Sequence, residues 1–459
     1  MQQKQNILLA GAATRRDFIK KAATATAAVA ATGFIKTPVY GQTTAPSANV
    51  AGANSKLAIG FVGVGNQGLN SHLKVMVANA GENNVAAVAV CDASKHRVEE
   101  ALAAAGEGAK GYSDYRQLLE RKDIDVIVCA TVDHWHARVT IDSLNAGKHV
   151  YVEKPMTRYL GEAFEVYDAV KKTGKIVQVG AQRCSVLKWH KAAEWIKAGK
   201  IGPVVSCQGS YMRNPTRYKG EWNYAIQPWA TKDDVNWSLW LNDKIKTKKD
   251  FSPEDYFRWR KYYRYCAGAL GDLVPHTMHP FVMATGAEFP KRVASVGSRP
   301  VHADKETPGT PERDAAEMIQ IIAEFPNAMI MDFTTGTVNE VGPTDVIRGY
   351  KGTLYLGGNN VQLKPEKPFT EEIEAEASEN YPVESFEAHH KNFFESIRAN
   401  KQPNCNVDLA VKVQTIVSLA EMSERLSVMC LFDDKSRKIT TSDGKELQPL
   451  TYGSIEGLS

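Results

Sequence analysis

The stretch LAIGFVGVGNQG, residues 57–68, constrains the fold more than any other part of the chain. A continuous apolar run of this kind is a strand buried on both faces. It ends in Gly63-Val64-Gly65-Asn66-Gln67-Gly68, a GxGxxG, and a helix is expected over 68–79. In that setting the first glycine permits a tight turn, the second lets backbone approach a pyrophosphate, and the third lets helix and strand pack closely. The helix N-terminus then faces the phosphates. Gly63, Gly65, Asn66, Gln67 and Gly68 are therefore candidate dinucleotide-binding residues. Asp92 closes the next apolar strand (85–92) and suits the two ribose hydroxyls of NAD. Lys95 and Arg97 nearby leave NADP as an alternative.

The alternation continues. Apolar strands are expected at 124–131, 148–155 and 175–182, separated by helical patterns at 95–105, 136–146 and 161–172. Strands alternating with helices of this length form a doubly wound parallel sheet, a Rossmann domain over 56–183. Beyond 184 the texture changes. Helices are expected over 186–198, 385–399 and 408–427, and strands over 203–212, 292–298, 317–325, 328–335, 345–349 and 353–357. This predicts a second α/β domain, 184–459, on an open, mostly antiparallel sheet. Between them, 214–265 reads as irregular and aromatic-rich, with Trp222, Trp229, Trp237, Trp240 and Trp259 and several tyrosines. Such a segment either packs upon itself or offers faces to a sugar ring.

The N-terminus carries a separate signal. Thr14-Arg15-Arg16-Asp17-Phe18-Ile19-Lys20 precedes a short Ala/Thr-rich run to Ile35, the pattern of a twin-arginine export signal over 1–41, followed by a flexible linker over 42–55. The expected destination is the periplasm. The run is too short and polar for a permanent membrane span. Residues 1–41 hold a net charge of +5, which leaves −1 for the rest of a chain whose total is +4. No basic surface suited to nucleic acid is therefore expected. Seven cysteines are scattered without a CxxC pair, as in a protein folded with free, packed thiols.

In GALGDLVPHTMHPF (268–281), Asp272, His276 and His279 present three metal-ligand types. Equally, they suit a proton-transfer pair, or packing alone. Pro275 cannot sit deep in a helix, because its ring would clash with the Gly271 carbonyl. A helix start near 272–275 makes Asp272 a cap rather than a mid-helix ligand. No further ligands of comparable quality accompany it, and His389-His390 lacks metal-ligand spacing, so no metal is expected.

Five motifs together, GVGNQG (63–68), CATVDHWHA (129–137), AGKHVYVEKP (146–155), QVGAQR (178–183) and GDLVPHTMH (271–279), resemble the glucose–fructose oxidoreductase / inositol dehydrogenase family, Gfo/Idh/MocA. The resemblance covers nearly all of 56–430. It implies a Rossmann domain joined to an α/β domain whose open sheet covers the cofactor and makes the oligomer contact. It places Lys154 near the nicotinamide and the reacting hydroxyl, with Glu153 and Gln182 beside the cofactor and Lys154–Pro155 cis. By the same resemblance His276 is the acid/base, Asp272 the carboxylate that orients it, and His136 and Arg183 border the substrate pocket. Trp135 is the first candidate for stacking on a sugar. Two departures stand out: Cys266-Ala267-Gly268-Ala269 replaces a run of glycines, and His279 stands where many relatives have aspartate.

The chemistry fits those residues. Hydride transfer from a carbinol needs a base at its oxygen, and histidine has a suitable pKa. A lysine ammonium stabilises the developing alkoxide. The expected function is an exported, nicotinamide-dependent oxidoreductase acting on a sugar or glycoside with tightly held NAD. The alternatives are a redox-assisted glycosidase, which releases an aglycone with no net change in cofactor, and a non-catalytic sugar-binding protein, against which intact Lys154, Asp272 and His276 argue.

Overall fold

A computed structural model describes residues 56–215, 220–245 and 250–454; the leader and linker expected over 1–55 lie outside the described residues. The first sheet has six strands in the order β3-β2-β1-β4-β5-β6, all pairings parallel: β1 (Leu57–Val62), β2 (Val85–Cys91), β3 (Lys110–Tyr112), β4 (Val126–Cys129), β5 (His149–Glu153) and β6 (Val177–Gly180). Strands β4, β5 and β6 are buried throughout, because helices cover both faces. The expected strands are present, β1 and β2 shorter at their C-terminal ends and β4, β5 and β6 at both ends. Strand β3 and the short helix Tyr115–Leu119 are additions to the expected pattern, since the mostly exposed residues of β3 give no apolar run.

The second sheet joins eleven strands in the order β14-β13-β12-β11-β7-β10-β9-β8-β15-β16-β17. Its centre is β7 (Val204–Met212), β8 (Arg292–Ser298), β9 (Met318–Glu324) and β10 (Ile330–Gly336). Strands β11 (Val346–Gly349), β12 (Gly352–Tyr355), β13 (Gln362–Pro365) and β14 (Glu376–Ala377) extend one edge, and β15 (Cys430–Asp433), β16 (Lys438–Thr440) and β17 (Glu446–Leu447) the other. Every pairing is antiparallel except β7 with β10. Helices Leu187–Lys197, Val274–Thr285 and Val407–Leu426 pack on one face. Strands β11 and β12 match the expected 345–349 and 353–357, whereas β13 to β17 have no sequence signature, because two to four residues carry too little periodicity.

The two sheets share packing. Helix Phe386–Ala399, expected in the second domain, buries Phe393, Phe394 and Ile397 in one cluster with Leu57, Ile59 and Phe61 of β1. Its apolar spacing is that of an amphipathic helix, but only the fold shows which sheet it covers. All seven cysteines are buried and unpaired. Among the described residues no helix is long and apolar enough to cross a membrane.

Candidate active site

The glycine loop is built as its spacing requires. Gly63 has φ +81°, and a Cβ there would lie 2.5 Å from the Thr131 nitrogen. A Cβ on Gly68 would lie 2.0 Å from the Gly63 carbonyl oxygen. Gly65 is different: a Cβ there would meet no atom within 4 Å. The first and third glycines thus serve close packing, and the second opens onto free space where a pyrophosphate can approach backbone. The helix begins with a π-helical turn, Gln67–Leu73, before the α-helix Lys74–Ala78.

Asp92 sits at the end of β2 and accepts the Val64 and Ser94 amides at 2.9 and 3.0 Å. Burial raises its carboxyl pKa, and these two amides oppose that rise. The remaining lone pairs suit ribose hydroxyls. Of the two residues that left NADP open, Lys95 donates its Nζ to the Asp233 carbonyl at 2.8 Å, and Arg97 lies over the Trp229 ring at 5.1 Å and pairs with Glu100 at 3.2 Å. The donor and acceptor set therefore fits NAD.

One cleft of about 810 Å³ connects this loop to the other motifs of the chain. Gly63, Gly65, Asn66, Gln67 and Asp92 line one end, Glu153 and Lys154 the middle, and Asp272 and His276 the far end. Trp135 and His136 border it. Gly68 packs beneath the turn, and Gln182 is buried behind Glu153. Arg183 faces a separate depression with Ser210 and Asp345, and is held by Thr277 at 2.7 Å and Glu384 at 3.2 Å. Its expected place in the substrate pocket is corrected accordingly: it lines the neighbouring depression, where Thr277 and Glu384 engage two of its donors.

Lys154 follows β5, and the Lys154–Pro155 bond is cis. Its Nζ donates to the Asp272 carboxylate at 2.8 Å and to the Asp272 carbonyl at 2.9 Å. An ammonium has three N–H donors, so one remains for a ligand. Asp272 also accepts Arg260 Nε at 3.0 Å and Trp222 Nε1 at 3.2 Å. Burial alone would raise its carboxyl, but Lys154, Arg260 and Arg213 hold it far below the ordinary carboxylate range. Asp272 therefore binds lysine and arginine rather than His276, which corrects the expected orienting pair. The reason is local. Asp272 ends the one-turn helix Ala269–Asp272, and His276 belongs to the next helix, Val274–Thr285, with Pro275 in its first turn. The cap expected at Asp272 is likewise replaced by a helix end.

His276 stacks on Tyr211, ring centroids 4.9 Å apart, and its buried Nδ1 has no hydrogen-bond partner among the described residues. Burial first, then the Lys154 charge, push its pKa well below the ordinary value, so the ring is neutral at pH 7 and has a lone pair to accept a proton. His136 plays another part than substrate contact: Nδ1 lies 2.6 Å from the Pro155 carbonyl and Nε2 3.2 Å from the Thr131 carbonyl. It braces the cis turn. His279 is buried and bonds the Pro275 carbonyl at 2.7 Å, a packing role.

Glu153 is the hub of a network whose two histidines, His72 and His390, lie in none of the five motifs. Its Oε1 meets His72 Nε2 at 2.9 Å, Gln182 Nε2 at 3.2 Å and Gln67 Nε2 at 3.3 Å. His72 Nδ1 lies 2.9 Å from His390 Nε2. Burial would raise the Glu153 carboxyl, yet His72 and Lys154 hold it at about 2. The aromatic segment resolves mostly as packing: Trp237 stacks on Trp240 at 4.6 Å, and Trp222, Trp240 and Trp259 are buried. It also clasps the ribose end, where Asp234 accepts Ser94 Oγ at 2.6 Å and the His96 amide at 2.9 Å. Trp135 donates to the Trp240 carbonyl at 2.8 Å and keeps one face toward the cleft.

Residues 57–181 match the oxidoreductase family Gfo/Idh/MocA through its NAD-binding Rossmann fold. An inositol 2-dehydrogenase of Salmonella typhimurium is 31% identical over 200 residues, 43% of this chain and 58% of that protein. An α-N-acetylgalactosaminidase of Shewanella oneidensis is 26% identical over 239 residues, 47% of this chain and 50% of that protein. The chain thus spans between half and three-fifths of the length of these curated relatives. Among solved structures, a levoglucosan dehydrogenase in complex with NADH superposes with a TM-score of 0.59 at 19% identity, covering 80% of this chain and 98% of that one. An oxidoreductase domain protein from Kribbella flavida gives 0.63 at 20% identity, covering 82% and 98%. These likenesses carry the fold across both sheets.

Proposed function

We propose that this protein is an NAD-dependent oxidoreductase that moves hydride to or from a hydroxyl of a sugar or glycoside, with the cofactor held tightly. One observation carries the reading: a single cleft runs from the glycine loop and Asp92 to Lys154, Asp272 and His276. Gly63, Gly65, Asn66, Gln67 and Asp92 would hold NAD, which when bound supplies the hydride acceptor. His276, neutral and facing the cleft, takes the hydroxyl proton. The free N–H of Lys154 donates to the oxygen as negative charge develops there, and Asp272 and its partners fix the ammonium in place. Glu153, clamped by His72, Gln67 and Gln182, sets a fixed negative charge in the floor between the two ends.

The twin-arginine pattern supports export to the periplasm in folded form, and the clasp of the aromatic segment over the ribose loop supports retention of the cofactor. Exposed Val296, Ile322 and Ile330 on one face of the large sheet support homo-oligomerisation through it. The match to an α-N-acetylgalactosaminidase favours a second reading, a redox-assisted glycosidase. There a transient ketone acidifies the neighbouring C–H, the aglycone leaves by elimination, water adds to the resulting unsaturated ketone, and the redox state is restored at the end of the cycle.

The test is to denature purified protein and assay released NAD(H) and NADP(H), then incubate native protein with carbohydrates and glycosides and analyse products by mass spectrometry. Keto-sugars support the first reading and freed aglycones the second. A protein that neither binds a nicotinamide cofactor nor changes any sugar overturns both.

A further inference from the structure

We infer that the substrate is an acidic sugar, whose carboxylate is held by Arg213 and Arg260 at the far end of the cleft. The inference rests on the hydride-transfer reading of the same site and adds the substrate class.

Both guanidinium groups line the cleft beside Lys154 and His276. Arg213 bonds the Tyr211 hydroxyl at 3.2 Å and faces Glu221 at 3.5 Å, with 39% of its side chain exposed. Arg260 lies over the Trp259 ring at 4.1 Å and gives its Nε to Asp272, with 25% of its side chain exposed. A guanidinium carries five N–H donors in a rigid fork. Among the described residues, both Nη groups of Arg260 and most donors of Arg213 have no hydrogen-bond acceptor within reach. Trp259 fixes the plane of Arg260 and Tyr211 anchors Arg213, so two planar forks are held ready at the mouth.

The acidic groups nearby are already engaged. Asp272 is matched by Lys154, Arg260 and Trp222; Glu384 pairs with Arg183; Glu153 is bonded by His72 and two amides. Asp133, also in the lining, is buried and raised to about 7, so it is only partly ionised at neutral pH. Glu221 faces Arg213 across the longer gap. A neutral sugar presents hydroxyls that both donate and accept, and a site for it needs acceptors and donors in similar number. Apart from His276, which the reacting hydroxyl occupies, and Glu221 beside Arg213, this end offers mainly donors: the third N–H of Lys154 and the two arginine forks. A carboxylate, which only accepts, is the group that two forks satisfy. The reacting hydroxyl lies between Lys154 and His276, so the carboxylate sits on another carbon of the same ring or of the sugar linked to it.

The test uses the full chain with its cofactor and matched pairs of methyl hexosides and methyl hexuronides of gluco, galacto and manno configuration, together with the hexose 6-phosphates. Binding is read by tryptophan fluorescence, and reduction of bound cofactor is read in parallel. Charge-assisted pairing of this kind is worth about tenfold to a hundredfold in affinity. The expected result is a uronide of at least one configuration bound more tightly than its neutral partner by that factor. In Arg213→Met the preference vanishes, and in Arg213→Lys it is partly kept. Arg213 is half-exposed with one hydrogen bond, so the fold tolerates both changes. Equal binding of acid and neutral sugar in every pair overturns the inference, as does a preference unchanged in Arg213→Met or a stronger preference for the phosphates. Selective uronide binding without cofactor reduction would uphold the acidic subsite while removing the hydride-transfer reading.

Discussion

Replacing Gly68 or Gly65 by alanine separates the two uses of the glycine loop. At Gly68 the new Cβ would stand 2.0 Å from the Gly63 carbonyl oxygen, whereas side-chain carbons essentially never approach closer than 3.0 Å. The turn and helix must part by about 1 Å. Gly63 cannot give way, because its φ is +81° and its own Cβ position is filled by Thr131. Overpacking of this kind costs about 1–3 kcal/mol, so Gly68→Ala should lower the unfolding midpoint clearly in protein freed of cofactor. At Gly65 nothing lies within 4 Å, so the fold should be unaffected. The same methyl group would instead stand where a pyrophosphate meets the backbone. A clash of equal size, moved from folding to binding, weakens NAD affinity by about tenfold to a hundredfold. Thermal unfolding without NAD, and calorimetric titration with NAD, read the two effects separately. A Gly65→Ala protein that binds NAD like the parent, or a Gly68→Ala protein that melts unchanged, would refute the assignment of the loop.

Three further outcomes follow from the network behind the loop and from the catalytic pair. His72→Leu removes one of several bonds to buried Glu153 and should cost about 1–3 kcal/mol. Glu153 is depressed to about 2 in the folded chain, so its contribution to stability is present above its ordinary pKa and is lost as pH falls toward 2. In His72→Leu the folded pKa rises, and acid unfolding should begin at higher pH; identical acid profiles would contradict the network. Lys154→Met should lower the rate of cofactor reduction by about a hundredfold or more while sugar binding changes less, checked by single-turnover kinetics. Because His276 acts as a base and its pKa is depressed, kcat/KM should be level near neutrality and fall with an acid limb below 6.5; an acid limb above 6.5 would count against it.

The first sheet is legible in the sequence because strands buried on both faces leave continuous apolar runs, and GxGxxG has meaning once such a run precedes it. Lys154, Asp272 and His276 are legible as types, and the fold does bring them to one cleft. Their partners are not. The four-residue spacing of Asp272 and His276 suggests one helical face, but Pro275 divides the segment into two helices and turns Asp272 toward Lys154 and Arg260. His72 and His390 touch across 318 positions, and neither lies in a motif, so no local signal links them to Glu153. Arg213 and Arg260 come from the end of β7 and the aromatic segment, where charge is expected at the surface; only the folded cleft shows them converging. Helix Phe386–Ala399 likewise has an apolar face readable from its period, while the sheet it covers depends on the path of the chain.

His276 and Lys154 are held to act on a sugar hydroxyl beside NAD, and everything else about the site follows from that. The most direct measurement is the rate at which bound cofactor is reduced when protein is mixed with a turnover-competent sugar, compared between the parent and His276→Ala. A loss of about a hundredfold or more in that rate, with cofactor content unchanged, is the expected result. An undiminished rate in His276→Ala would contradict it.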